Sequence, residues 1–237
     1  MLELQGVCKA RREGPREHRV LENVELQLSR GEYAVVWGLR SSGRSTLLRI
    51  AAGIEPPDSG VVRFEGADPH RGNGALGEGI GYCHLHFGAG EGRTALESVM
   101  MALLARGVTA ARARARAEDA LERSGAADCR TRPVACLDRA DSVRVALART
   151  VALDPRLLVI DDPTHGVELM QRDGILLLLR TLAGEGIAVL ASTGEPTGLS
   201  GADRTLALSE GRLRGSAAPE LGDVVALHEH GRRRAAG

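Results

Sequence analysis

The chain has 237 residues, 43% of them hydrophobic, enough to bury a sizeable core as one large domain or two small ones. Its 31 basic and 31 acidic residues cancel, so there is no whole-chain positive field of the kind that nucleic-acid binding uses. The cysteines Cys8, Cys83, Cys129 and Cys136 have neither C-x-x-C nor zinc-ligand spacing and read as free core residues in a reducing compartment.

In chain order, residues 1–30 alternate apolar and polar positions (Leu2, Leu4, Val7; Val20, Val24, Leu26, Leu28) around a polar turn at Arg11 to His18, which predicts an antiparallel β-layer. No apolar leader segment opens the chain, and the longest apolar stretch, Ile175 to Leu179, is far below the ~18 residues that span a bilayer. Cytosol is the expected compartment, with any membrane association made through a partner.

The run Tyr33 to Trp37 reads as a buried strand and Ser45 to Gly53 as a helix. Between them stands Gly38-Leu-Arg-Ser-Ser-Gly43-Arg44-Ser45-Thr46, the phosphate-loop frame G-x-x-x-x-G-K-[ST] with arginine in the lysine position. In such a loop the backbone N–H groups close around phosphate oxygens, the helix points its positive end at them, and Ser45 holds Mg²⁺. Arg44 keeps the charge but replaces a compact point charge with a wide planar fork. Lys9 is the sole lysine among the 31 basic residues, so compositional drift toward arginine is a second account of the swap.

Val61 to Phe64 and Gly79 to Cys83 predict two further strands. From Thr94 to Gly125 the pattern is helical, with Leu96, Val99, Met100, Leu103 and Leu104 stepping at three and four, while Arg112, Arg114 and Arg116 fan around the helix as a solvated surface. A helix over Ser142 to Leu153 leads to Leu157-Leu-Val-Ile-Asp161-Asp162-Pro163, an apolar strand ending in two carboxylates. A helix at Arg172 to Ala183, a strand at Ile187 to Ala191 and a hairpin around Glu210-Gly211 follow. Beyond Arg214 the composition turns to Ala, Gly, His and Arg, and the last ten residues are expected to fray.

The phosphate loop, the Asp161-Asp162 strand (similar to a Walker B motif), the helical insert between them, Gly31-Glu32 and Asp154-Pro155-Arg156 together resemble the ATP-binding subunits of ABC transporters over about residues 1–215. The run from Glu195-Pro196 through Ala202-Asp203-Arg204 resembles the lipoprotein-release and macrolide-export type. The resemblance implies an α/β fold: a P-loop NTPase (RecA-like) core with an antiparallel β-subdomain and an α-helical subdomain at about residues 86–142, followed by a tail at 216–237. It implies ATP and Mg²⁺ as cofactors, with Gly38, Ser41, Ser42, Gly43, Arg44, Ser45 and Thr46 around the nucleotide and Ser45 and Asp161 on the metal. The implied partners are a membrane permease and a second ABC ATPase subunit, identical or different, with no nucleic acid. The implied location is cytoplasmic, peripheral to the inner face of the plasma membrane through the permease.

Carried over position by position, the family pattern is altered at many points. Arg11 stands near the position of the ring that stacks on adenine, and Ser41 replaces the middle glycine of the loop, where a Cβ crowds any backbone with φ > 0. Leu85, flanked by His84 and His86, takes the place of the Q-loop glutamine. Leu137-Asp138-Arg139-Ala140-Asp141 stands where LSGGQ belongs, putting two carboxylates in the way of a phosphate, although Asp138 or Asp141 still makes a good N-cap. Asp162 is the candidate general base, one methylene shorter than the family's glutamate. His165-Gly166-Val167-Glu168 stands for the D-loop, and Gly194 for the switch histidine. These changes predict Mg-ATP binding with weak or absent hydrolysis; the alternatives are a non-catalytic scaffold or regulatory subunit, and an active ATPase energising transport.

Overall fold

The computed structural model describes residues 1–13, 16–71, 79–85 and 92–217. The expected fraying of the last ten residues and the place of His86 lie outside them. The first two strands, β1 (Leu2–Glu13) and β2 (Arg16–Leu28), pair antiparallel. The pairs Leu2↔Leu28, Leu4↔Leu26 and Val7↔Val24 bring the alternating apolar side chains together in the core. The polar turn expected at Arg11 to His18 is instead strand, because Arg11↔His18, Arg12↔Glu17 and Glu13↔Arg16 continue the ladder. Backbone hydrogen bonding needs no apolar face, so polar residues extend the hairpin beyond the core.

Next come β3 (Tyr33–Trp37), α1 (Arg44–Ala51) and β4 (Ser59–Phe64), the last pairing with the other side of β1 to give a three-stranded sheet, β2-β1-β4. The remaining strands are β5 (Ile80–Cys83), β6 (Leu157–Ile160), β7 (Ala188–Thr193), β8 (Arg204–Ser209) and β9 (Arg212–Ala217). With β3 they form a six-stranded sheet in the order β5-β6-β7-β3-β8-β9, parallel except for β9. Every residue of β6 and β7 is buried, and this two-sided burial is why β6 and the first four residues of β7 run continuously apolar instead of alternating.

One face of this sheet packs Ala34, Val36, Val159 and Leu190 against α1 and the three-stranded sheet. The other packs Val35, Ile160 and Val189 against α4 (Arg139–Val151) and α5 (Leu169–Gly184). The helical stretch from Thr94 is two helices, α2 (Ala95–Leu104) and α3 (Ala110–Arg123), separated by a turn in which Gly107 has φ 76°. Thr94 and Glu97 form a reciprocal capping box on α2. Val99, Leu103, Ala117 and Leu121 from these helices meet Val145 and Ala148 of α4 in a third apolar cluster. The helix predicted from Ser142 begins at Arg139, because the Asp138 carboxylate accepts the Asp141 N–H at 2.8 Å and caps it there.

Asp203 fixes the start of the central strand. It accepts the Tyr33 N–H at 2.9 Å and pairs with Arg180 of α5. The Arg180 hydrogen bond first, and the Tyr33 N–H after it, hold the Asp203 carboxyl below its usual range. A depressed carboxyl contributes stability above its unfolded pKa that is lost as pH falls through the folded one. Asp203→Asn keeps an acceptor for Tyr33 and removes the charge. It should lower Tm by about 2–4 °C at pH 7, with the gap closing as pH falls below about 4, as read by calorimetry.

Candidate functional site

Three neighbouring parallel strands set the site. Trp37 of β3 pairs with Thr193 of β7, and Ile160 of β6 pairs with Ala191, so Gly38, Gly194 and Asp161 emerge at the same carboxyl edge of the sheet. The phosphate loop turns at this edge into α1, whose N-cap is Gly43 at φ 100°. A Cβ at Gly43 would lie 2.8 Å from the Val20 carbonyl, and one at Gly38 would lie 2.5 Å from Ser42 Oγ, so both glycines are required by close packing. Ser41 sits at φ 66°, so the expected crowding of its Cβ is accepted, at about 1–2 kcal/mol. The buried Thr46 hydroxyl lies 3.4 Å from Nη2 of both Arg11 and Arg49. Arg11 also pairs with Glu55 at 3.4 Å, which ties its guanidinium to the start of the loop's helix.

Arg44, at the first position of α1, is only 13% exposed, and its Nη2 lies 3.5 Å from Oδ2 of Asp162. Its Nη1 and the hydroxyl of Ser42 are buried without a hydrogen-bond partner. Each such orphaned group costs roughly 1–3 kcal/mol, which an incoming phosphate oxygen would offset. Gly194 lies directly against this guanidinium: a Cβ there would be 3.1 Å from Nη2 and 3.3 Å from Nη1.

The two carboxylates after β6 are held differently. The Ser192 hydroxyl of β7 donates to Asp161 Oδ1 at 2.5 Å and accepts the Asp162 N–H at 3.1 Å, which fixes the direction of both residues. Asp162 itself has φ 50°. Burial, and after it the Asp161 charge, push the Tyr82 phenol up to about 12, which leaves it a neutral donor on the neighbouring strand. Ser45 is half-buried at the start of α1 and supplies a hydroxyl beside the loop. Carboxylate and hydroxyl oxygens are the hard donors that Mg²⁺ takes, and the orphaned donors of Ser42 and Arg44 suit phosphate, so the residues present fit Mg-ATP.

Leu85 is buried in the core with α4 and α5, and so cannot replace a polar side chain at the site. His84 is exposed, and its carbonyl accepts from Arg149 Nη2 at 2.7 Å. The carboxylates at 138 and 141 both have partners, the first as the N-cap that the sequence offered. Asp138 caps α4, while Asp141 pairs with Arg132 at 2.8 Å and Arg144 at 3.6 Å. Arg139 is committed too, donating to the carbonyls of His165 at 3.1 Å and Leu85 at 3.4 Å. The role of Ser192 and the Arg44–Asp162 pair escaped sequence reasoning, although the Ser192-Thr193 dipeptide ending an apolar run was the available signal for the first.

Ser192→Ala removes the hydroxyl that holds Asp161 and leaves the Asp162 N–H unmatched. It should weaken Mg²⁺-dependent nucleotide binding about tenfold, measured by Mg²⁺ titration with a fluorescent ATP analogue.

The ABC transporter family model matches residues 21–165. The lipoprotein-releasing system ATP-binding protein LolD of Chromohalobacter salexigens is 34% identical over 90% of this chain and 92% of its own length. The macrolide export ATP-binding/permease protein MacB 1/2 of Paracoccus denitrificans is 32% identical over 90% of this chain, which spans 33% of that longer protein. Among solved structures, a dimeric bacterial ABC transporter cassette superposes with a TM-score of 0.83 at 25% identity, covering 92% of this chain and 98% of that one. The cbiO1 protein of Clostridium perfringens shares the fold with a TM-score of 0.82 at 24% identity, covering 98% of this chain and 93% of that one. The P-loop NTPase fold is thereby established, and the chain belongs to the ABC transporter family as an ATP-binding subunit of the LolD and MacB type.

Proposed function

We propose that this subunit binds Mg-ATP at the loop from Gly38 to Thr46 and hydrolyses it weakly or not at all. The observation that carries the reading is the 3.5 Å pair between Arg44 and Asp162. A general base must present a carboxylate within hydrogen-bond reach of a water. Asp162 is short by one methylene and is already engaged by the cation of the phosphate loop. Gly194 and Leu85 add no polar side chain. Removing one well-placed donor typically lowers kcat by about 10²–10³, and because several such losses do not multiply, the expectation is slow turnover of unspecified depth.

In this reading Ser45 and Asp161 hold Mg²⁺, Ser192 orients Asp161, and Gly38, Ser41, Ser42, Gly43, Arg44 and Thr46 surround the nucleotide. The bound metal supplies charge neutralisation between phosphate oxygens. Asp162 remains the single candidate base. Residues 1–215, with the two further residues by which β9 reaches Ala217, act as the cassette, with the helical subdomain at about 86–142 and the tail after them. A second ABC ATPase subunit, identical or different, pairs head to tail. The N-terminus of α4, already capped by Asp138, then has less to offer the partner's phosphate.

A permease holds the subunit at the inner face of the plasma membrane. No helix among the described residues is long and apolar enough to cross a membrane. A cavity of 390 Å³ lined by Tyr82, His84, Ala102, Arg106, Arg149 and Leu153, where the helical insert meets the edge strand β5, supports docking beside Leu85. Ala102→Trp should fill it, abolishing co-purification with the cognate permease while leaving nucleotide affinity unchanged.

Equilibrium binding of a fluorescent ATP analogue with Mg²⁺ tests the reading. Saturation below millimolar nucleotide is expected, weakened at least about tenfold by Asp161→Ala, one lost metal ligand being worth roughly that factor or more. No saturation at millimolar nucleotide rejects it. Binding-independent behaviour of Asp161→Ala would favour a scaffold or regulator, and vanadate-sensitive phosphate release well above a blank would favour an active ATPase.

A further inference from the structure

The loss of a side chain at 194 and the gain of a larger cation at 44 look like separate defects in the sequence. In the folded chain they occupy one space. A Cβ at Gly194 would come within 3.1 Å of Arg44 Nη2, 3.3 Å of Nη1 and 3.6 Å of Cζ, so a side chain there requires the guanidinium to give by a few tenths of an ångström or more. The contact is not loose. Arg44 is 13% exposed, and the nitrogen nearest to position 194, Nη2, is also the one 3.5 Å from Asp162, so displacing it loosens that pair. Gly194 has no positive φ, so its backbone does not demand glycine. What demands it is Arg44.

The second guanidinium nitrogen, Nη1, is buried and has no partner. A planar fork with one arm on Asp162 and the other arm unmatched is a donor without an acceptor, between the phosphate loop and the end of β7. We infer that Arg44 serves two positions at once: it is the loop cation, and it meets the terminal phosphate from the place vacated at 194, so that glycine at 194 is a condition for arginine at 44. The reading rests on the nucleotide site proposed above and deepens it. Arg44→Lys is then no repair. A lysine in this setting loses the Asp162 fork and leaves a gap against Gly194.

A double-mutant cycle of Arg44→Lys and Gly194→His tests this, read by equilibrium affinity for a fluorescent ATP analogue with Mg²⁺ and by the melting temperature of the nucleotide-free protein. Each single variant is expected to bind about tenfold more weakly and to melt lower, and the double variant to recover to within about threefold of wild-type affinity, since residues in contact couple by amounts of this order. Gly194→Ala, with the smallest possible side chain, should show the same signs at smaller size and serves if the histidine variant does not fold. Additive losses in affinity and in melting, with the double variant no better than the product of the singles, overturn the inference while leaving nucleotide binding standing. Failure of the wild-type protein to saturate overturns the proposed nucleotide site and this inference together.

Discussion

The parallel order β6-β7-β3 is the constraint on which the site depends. Each strand is fully or almost fully buried, so its register is fixed by packing on both faces, and the residue after each strand is delivered to a set place on the carboxyl edge. Gly38, Asp161 and Gly194 are those residues. None is brought to the site by its own chemistry. The sheet positions them, and the side chains then determine what the edge can do. Ser192, inside β7 and fully buried, shows the coupling most clearly, because one hydroxyl from the middle strand orients both Asp161 and Asp162 of the neighbouring one.

What the edge holds is a largely buried cation, Arg44, facing more than one anionic claim. Arg44 is paired with Asp162, and a triphosphate would compete for the same guanidinium. In the proposed function this one pair serves both halves of the reading, since the group offered to phosphate is also the group held by the candidate base. The signature segment shows the same economy of charge. Its carboxylates are satisfied locally by α4's N-terminus, Arg132 and Arg144, so the helix is sound with Asp138 and Asp141 at its start.

Much of this was legible beforehand, for physical reasons. Two-sided burial makes β6 and the start of β7 apolar runs, and the loop glycines announce themselves because neither tolerates a Cβ, so the strand–loop–helix unit and the Asp161 strand are legible in the sequence. The hairpin tip could not. Arg11 to His18 is polar on every side, and nothing in its composition separates a ladder of backbone hydrogen bonds from a loop. The same limit hid the partners of Asp141, which come from nine residues earlier and three later, and of Asp162, whose cation stands far away in sequence. Charge pairs across the fold leave no periodic trace. The N-cap at Asp138 is local and was legible, whereas the two arginines on Asp141 were not.

The central claim is that the pocket retains a triphosphate without cleaving it. The most direct measurement loads the wild-type protein with Mg²⁺ and ATP, removes free nucleotide by rapid desalting, holds the complex at 25 °C, and identifies the bound nucleotide by chromatography. The account predicts that it remains ATP over a time in which an ordinary cassette turns over many times. Recovery of the bound nucleotide as ADP over that time would contradict it.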